Sequence, residues 1–261
     1  MGTITKALKL LNYFSIHRAE IGLSEFKALS VQDKATVYRH LCELQENGFI
    51  EQDPISKNYR LGPAVLRLAT VREQTFPMRE AVSTIVDELS RQLGELVHVS
   101  LYEGGYMSPL YHADIQPHGT RVYFDEGELL PMHATSSGLA MLAFGGDGIL
   151  NQLLKAPLVD FTGHTITSPK DIKQYVQRVR DQGYALSEEG FEKEVFSMAV
   201  PVFNQGEVSI GTIAVALPHS RLTKAVQEKI LTQLKQGGRD VTNVLGGTVP
   251  EKLEGAWEDA V

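Results

Sequence analysis

31-VQDKATVYRHLCELQENGF-49 is the stretch on which the reading of this chain turns. After a polar turn at Gln32 and Asp33, the residues Val37, Leu41, Leu44 and Gly48 recur at a 4-3-4 spacing. That spacing predicts one apolar stripe along a helix, with Gly48 placed to end it. Lys34, Thr36, Arg39 and His40 fall off the stripe and are expected to face outward from the N-terminal half. A short helix with one buried side and basic, hydroxyl-bearing residues near its start suits the major groove of a duplex. Gln32, Lys34, Thr36, Val37, Arg39 and His40 are therefore the candidate DNA-contacting residues of this helix. An ordinary amphipathic surface helix would show the same stripe, so the flanking chain has to decide.

Upstream, Thr3 or Thr5 can cap a helix running to about His17, with Ala7, Leu10, Leu11 and Phe14 inward. Leu23–Ala28 reads as a second short helix with Ser24 as its cap, followed by a tight turn into the opening stretch. Two short helices of which the second is basic form the helix-turn-helix pattern. Downstream, Phe49–Gln52 and Lys57–Leu61 read as strands around Asp53-Pro54, a hairpin whose Lys57 and Arg60 can reach phosphates. The order helix, helix, basic helix, basic hairpin within about sixty residues is more specific than any one piece.

Charge is distributed to match. The chain has 261 residues and a net charge of -7. Its first seventy hold nine Lys and Arg against seven Asp and Glu, the remainder sixteen against twenty-five. A mildly basic N-terminal part on an acidic body fits local contact with DNA. No apolar run approaches a membrane span, and the start MGTITKALKLL has no secretory pattern. The single Cys42 excludes internal disulfides and cysteine-rich zinc sites. No cofactor, no metal and no membrane partner are expected, and a reducing cytoplasm is the expected compartment.

Gly62–Glu95 reads as helical, broken at Phe76-Pro77. From Leu96 the period changes to two, with Val97, Val99 and Leu101 alternating, and Gly104-Gly105 supplies a hairpin turn. Tyr106–Asp114 and Thr120–Phe124 are expected strands. His133–Phe144 turns helical, and Pro169–Gln182 is an amphipathic helix capped by Ser168. Ser197–Phe203 and Val208–Leu217 are apolar strands, and Leu222–Leu245 is a last helix. These elements describe an α+β domain. The expected division is a winged helix-turn-helix domain over 1–62, a linker helix over 63–80, an effector-binding and oligomerisation domain over 81–247, and a flexible polar tail over 248–261.

ITKALKLLNYF…GLSEFKALS…KATVYRHLCELQENGFIEQDPISKNYRLGPAVLRLA resembles the winged helix-turn-helix domain of the IclR family of bacterial transcriptional regulators. LPMHATSSGLAMLAF and GYALSEEGFEKEVFSMAVPVF resemble two further family segments, PLHATAxGKAxLA and GYAxDxEEFExGVxCIAAPVF. The resemblance covers nearly the whole chain in order. It implies a GAF-like effector-binding fold with an antiparallel sheet flanked by helices. It also implies a homodimer or homotetramer joined through the DNA-binding domain and linker, acting on a double-stranded DNA operator.

A ligand is expected where Thr135, Ser136, Ser137, Gly138 and Leu139 open a helix, since unpaired amides and the helix dipole favour an anion there. A hydroxyl-rich helix start also serves simply as a cap; the resemblance implies a small organic acid effector. Carried over by position, further pocket places fall on Ser187, Ser197, Ala214 and Ala216. Many relatives have Asp, Cys, Ser and Ser there, and Glu194 stands where glycine is usual. Those departures argue against a glyoxylate-like ligand. They point to a more apolar wall, or to polar contacts from Tyr106, Tyr111, Tyr123 or His133, each of which also suits core or sheet surface.

A small-molecule enzyme or metal-dependent sensor is the alternative of a different class. Its marks are missing: the histidines are scattered without i, i+4 pairing, ATSSG is not a nucleophile elbow, and Gly145–Gly148 lacks the lysine of a phosphate loop. A DNA-binding protein answering to a protein partner alone is the third reading, which titration with metabolites would separate.

Overall fold

The protein is described here from a computed structural model covering residues 2–115 and 118–258. The chain divides into two compact units, the break falling between Pro77 and Met78. Residues 78–80, expected in the linker, therefore open the first helix of the second unit.

In the first unit α1 (Thr3–Leu11), α2 (Leu23–Leu29) and α3 (Lys34–Glu46) precede β1 (Ile50–Gln52) and β2 (Tyr59–Leu61), with α4 (Pro63–Thr75) following. Leu10, Phe14, Ile21, Phe26, Val37, Leu41, Leu44, Ile50 and Tyr59 form its core. The 4-3-4 apolar spacing of α3 is thus what joins it to α1 and α2. Helix α1 stops six residues short of the expected end at His17. The chain turns at Asn12 and bridges Ser15 to Arg18, which brings Phe14 edge-on to Phe26 at 5.6 Å. Asp33, not a serine or threonine, caps α3, accepting from the Thr36 amide at 3.0 Å. Gly22 takes the capping position of α2 that Ser24 was expected to fill. The hairpin β1–β2 is antiparallel, and Tyr59 exchanges two 2.9 Å backbone bonds with Ile21, tying the wing to the start of α2.

The second unit opens with α5 (Met78–Leu93). Six antiparallel strands follow: β3 (Leu96–Glu103), β4 (Tyr106–Ala113), β5 (Leu130–Pro131), β6 (Ala185–Glu188), β7 (Val195–Phe203) and β8 (Ser209–Pro218), in the order β5-β4-β3-β8-β7-β6. The helices are α6 (Ser136–Phe144), α7 (Asp147–Leu153), α8 (Pro169–Gln182), α9 (Lys224–Val244) and α10 (Glu251–Glu258). Period-two alternation sorts the sheet residues. Val97, Val99, Met198, Val200, Ile213 and Val215 pack with α5 and α9, while Ala185, Ala199 and Ala214 pack with α6 and α8 on the other face. The alanines let α6 lie close, and Gly138 and Ala140 of α6 add little bulk on its own side. The sheet is covered by helices on both faces, an α+β arrangement.

Three expectations are corrected. Among the described residues Thr120–Phe124 pairs with no strand; Val122 is turned inward and the Thr120 carbonyl accepts from Arg221 Nη1 at 2.7 Å. Its alternating pattern places side chains without requiring a ladder. Secondly, the helix expected from His133 starts at Ser136 with Thr135 as its cap, because residues 130–131 are tied into the sheet as β5. Thirdly, the tail over 248–261 is not loose through residue 258. There α10 buries Leu253 and Trp257 to 4% and 2% exposure, and the indole N–H donates to the Gly183 carbonyl at 2.9 Å. Gly183 ends α8 at φ 81°, and a Cβ there would lie 2.6 Å from the indole nitrogen. Only glycine satisfies both requirements.

Glu194 sits at φ 60°, the left-handed region that favours glycine. A glycine, which the family resemblance implies at that place, would adopt this conformation without strain. Glu194→Gly is expected to raise stability by about 0.5–1 kcal/mol, read as a higher melting temperature; a lower one would mean the Glu194 side chain contributes more than the strain removes.

Candidate functional site

Helix α3 presents Lys34, Ala35, Tyr38 and Arg39 on its outer side, with Tyr38 half exposed. The capping geometry uses Thr36: its hydroxyl donates to Asp33 Oδ2 at 2.8 Å as well as its amide to Oδ1. Those bonds, the amide's foremost, hold the Asp33 carboxyl below its usual range. Gln32 turns back to α1, its Nε2 donating to the Lys6 carbonyl at 3.4 Å. Val37 and His40 do not reach the outer side at all; they are 0% and 2% exposed. Val37 belongs to the stripe and was misplaced as a contact. For His40 the period decides, since it follows Val37 by three and precedes Leu44 by four. Burial pushes its imidazole below the ordinary value, with the Arg39 charge adding to this, and neither ring nitrogen has a partner among the described residues.

On the wing, Arg60 is ion-paired to Glu51 across the hairpin, Nε to Oε1 2.6 Å. Lys57 is exposed at the turn, at φ 62°. The turn itself is built by Asp53, whose Oδ1 accepts from Ile55 and Ser56 at 2.9 and 2.7 Å. The exposed side of α3 and the wing thus offers Lys34, Arg39, Lys57 and Arg60 as cations. Tyr38 was missed by the sequence reading, although it sits four residues after Lys34 on the face the stripe leaves open.

The second unit holds a cleft of about 490 Å³, including its open mouth, at the head of α6. Thr135, Ser136, Ser137, Ser187, Ser197, Ala216 and Tyr123 line it, among the expected residues. Thr135 caps α6, accepting from the Gly138 amide at 3.1 Å and donating to the Pro131 carbonyl at 2.9 Å. Its hydroxyl is spent, and so is that of Ser187, which donates to the Ala134 carbonyl at 2.8 Å. Ser137 differs: its hydroxyl is buried with no partner among the described residues, beside the first-turn amides of Ser136 and Ser137 that have no acceptor within the helix. A group that accepts several hydrogen bonds and carries negative charge satisfies all three.

Other expected residues stand outside the cleft. A Cβ on Gly138 would come within 2.4 Å of the Met132 backbone, so that glycine serves close packing. Leu139 and Ala214 lie in the core between α6 and the sheet. Tyr106 is exposed at the start of β4. Tyr111 donates to Asp87 of α5 at 2.9 Å, and His133 Nε2 is bound to the Val159 carbonyl at 2.9 Å with its ring on Phe161. The walls missed in the sequence are Leu96, Val122, Phe124, Leu130, Phe191 and Val195, and the polar groups missed are His98 and Glu192. The signal was there for His98, which lies between Val97 and Val99 and so faces away from the α5–α9 core. Burial pushes its imidazole down to about 3, with His112 adding to the effect, so the ring is neutral. Burial also pushes the Glu192 carboxyl up, with Glu128 second.

Residues 3–54 match the IclR helix-turn-helix domain and residues 73–243 the C-terminal domain of bacterial IclR transcriptional regulators. The chain belongs to the IclR family. It is a DNA-binding transcriptional regulator, and its family is one of regulators, not enzymes. The chain is 28% identical over 246 residues to the HTH-type transcriptional regulator XynR of Escherichia coli, covering 94% of this chain and 97% of that one. It is similar to the crystal structure of a putative IclR regulator from Silicibacter sp. TM1040, with a TM-score of 0.87 and 43% identity over 96% and 99% of the two chains. An IclR homolog from Microbacterium hydrocarbonoxydans, solved in complex with 4-hydroxybenzoate, shares the fold at a TM-score of 0.71, with 20% identity over 94% and 99%. Within the described residues of this IclR-family chain no helix is long and apolar enough to cross a membrane.

Proposed function

We propose that this regulator acts as a homodimer, or a dimer of dimers, on a pseudo-palindromic operator in the cytoplasm, and that a small organic acid at the head of α6 sets its affinity. The Ser137 hydroxyl, without a partner among the described residues, beside two first-turn amides that have no acceptor within the helix carries the acid part of this reading. The walls carry the rest: Phe124 and Phe191 line the cleft, and Ala216 offers a methyl group. An aromatic or otherwise apolar monocarboxylate suits those walls better than a glyoxylate-like acid, and the 4-hydroxybenzoate complex of the Microbacterium homolog supports this size and class. The pairing of copies is supported by α1 and α4, which expose Ile4, Leu8, Leu66, Leu68 and Val71. Apolar faces left open on a DNA-binding unit suit a self-complementary interface.

An acid moves the operator equilibrium only by its differential affinity for the DNA-competent and incompetent arrangements. The test is a salt-series titration on duplex DNA from upstream of the protein's own gene, beside a random duplex, with and without a panel of aromatic and aliphatic monocarboxylates. Tighter binding to the first duplex, shifted by one acid and shifted only at higher acid concentration in Ser137→Ala, is the expected result. Equal and steeply salt-dependent binding to both, untouched by any acid, would overturn it.

A further inference from the structure

We propose, resting on the effector pocket described above, that His98 is a second polar pole of the cleft, so that the pocket selects an elongated monocarboxylate carrying a neutral hydroxyl at its far end. Strand pairing provides the layout. Leu96, Ala216, Ser197 and Ser187 form one row across β3, β8, β7 and β6, and all four line the cleft. The next row on that face runs His98, Ala214, Ala199, Ala185. Helix α6 packs over the alanines, and the Ala134 carbonyl just before it is held by Ser187 of β6. His98 stands at the opposite end of its row, two strands from the strand of Ser197. At about 5 Å per strand, that is roughly 10 Å from Ser197, on the side of the cleft where Ser187 holds the chain just before α6. A two-carbon acid cannot span it; an aromatic ring bearing a para substituent can.

The chemistry of the far pole follows from how His98 is held. Its Nδ1 is 3.0 Å from the Ser100 hydroxyl and its ring lies 4.6 Å from that of Phe124. Nε2 is therefore the ring nitrogen left for a ligand. The ring is neutral, so it offers no charge to a second carboxylate. A hydroxyl both donates and accepts, and so fits either imidazole tautomer.

The test is calorimetric titration of the full-length protein with benzoate and phenylacetate, each as the unsubstituted, para-methyl, para-hydroxyl and para-carboxylate acid. In at least one series the hydroxyl acid is expected to bind about tenfold more tightly than its methyl analogue, and the dicarboxylate most weakly. His98→Phe should bring the hydroxyl-to-methyl ratio near one while the unsubstituted acid still binds; His98→Gln should keep part of the ratio and guards against misfolding of the first variant. Ser137→Ala should weaken all the monocarboxylates alike, marking the other pole. Equal binding of hydroxyl and methyl acids by the wild type, or a ratio that survives in His98→Phe, would overturn the second pole and leave the acid pocket standing. Failure of every acid to bind would overturn the effector reading and the second pole with it.

Discussion

Trp257→Ala is expected to lower the stability of the second unit by about 3–5 kcal/mol, the range for deleting a buried aromatic side chain. The indole is 2% exposed and closes several features at once. Its N–H satisfies the Gly183 carbonyl, the Arg239 guanidinium lies over its ring at 5.1 Å, and the Trp257 carbonyl accepts from Lys235 at 3.0 Å. Lys235 is itself buried, and burial holds its ammonium below the usual range. Removing the indole leaves the Gly183 carbonyl and part of the Arg239 surface without their partner, so the loss exceeds the transfer of a ring to water. Urea unfolding followed by circular dichroism measures the loss, since Trp257 is the one tryptophan of the chain and takes the fluorescence signal with it. Lys252→Ala, on the exposed side of the same helix, should stay within about 0.5 kcal/mol of the wild type. A similarly small change for Trp257→Ala would mean that α10 is not held in solution.

The tail was misread because its sequence, EKLEGAWE, has few apolar residues and three glutamates among eight residues. Composition reports the average side chain, whereas docking needs only Leu253 and Trp257 one turn apart on one face. Periodicity read the sheet far better: alternation over Leu96–Tyr102 and the apolar runs of β7 and β8 placed those strands within two residues. It could not say which part of one buried face met a cavity, so His98 went unnoticed, while Ala214 was carried into the pocket by the family resemblance alone. The two lie in one row, directly paired across β3 and β8. Which of them borders open space depends on where α6 stops over the sheet, a tertiary fact with no local signature. Thr135–Gly138 was legible as a hydroxyl-rich helix start because capping is local chemistry, although the periodic pattern began the helix at His133. The division of labour among its hydroxyls was not: Thr135 and Ser187 bond to backbone carbonyls, and Ser137 is left over. His40 shows the same limit in α3, where a polar residue type outweighed a period that placed it inward.

Arg39→Ala is expected to weaken operator binding by about 1–3 kcal/mol, if its guanidinium reads a base edge bidentately, while leaving binding to a random duplex nearly unchanged. The residue is exposed on the side of α3 opposite the Val37–Leu41–Leu44 stripe, beside Tyr38. No packing is lost with it, so its loss should appear in DNA affinity and not in the unfolding midpoint. The wing provides the contrast. Lys57 sits on an exposed turn, where a lysine reaches phosphates. Lys57→Gln should therefore weaken binding to operator and random duplex alike and reduce the salt slope by about one. Arg60→Gln should do less, because the ion pair with Glu51 already engages that side chain and must be exchanged for a phosphate. His40→Ala separates fold from reading: with the imidazole buried, it should lower the melting temperature of the first unit without relaxing sequence preference. An operator selected from a random library, then titrated with each variant at two salt concentrations, measures all four. Should Arg39→Ala bind operator as the wild type does, base reading would pass to Lys34 and Tyr38, the other exposed side chains on that face long enough to reach a base edge.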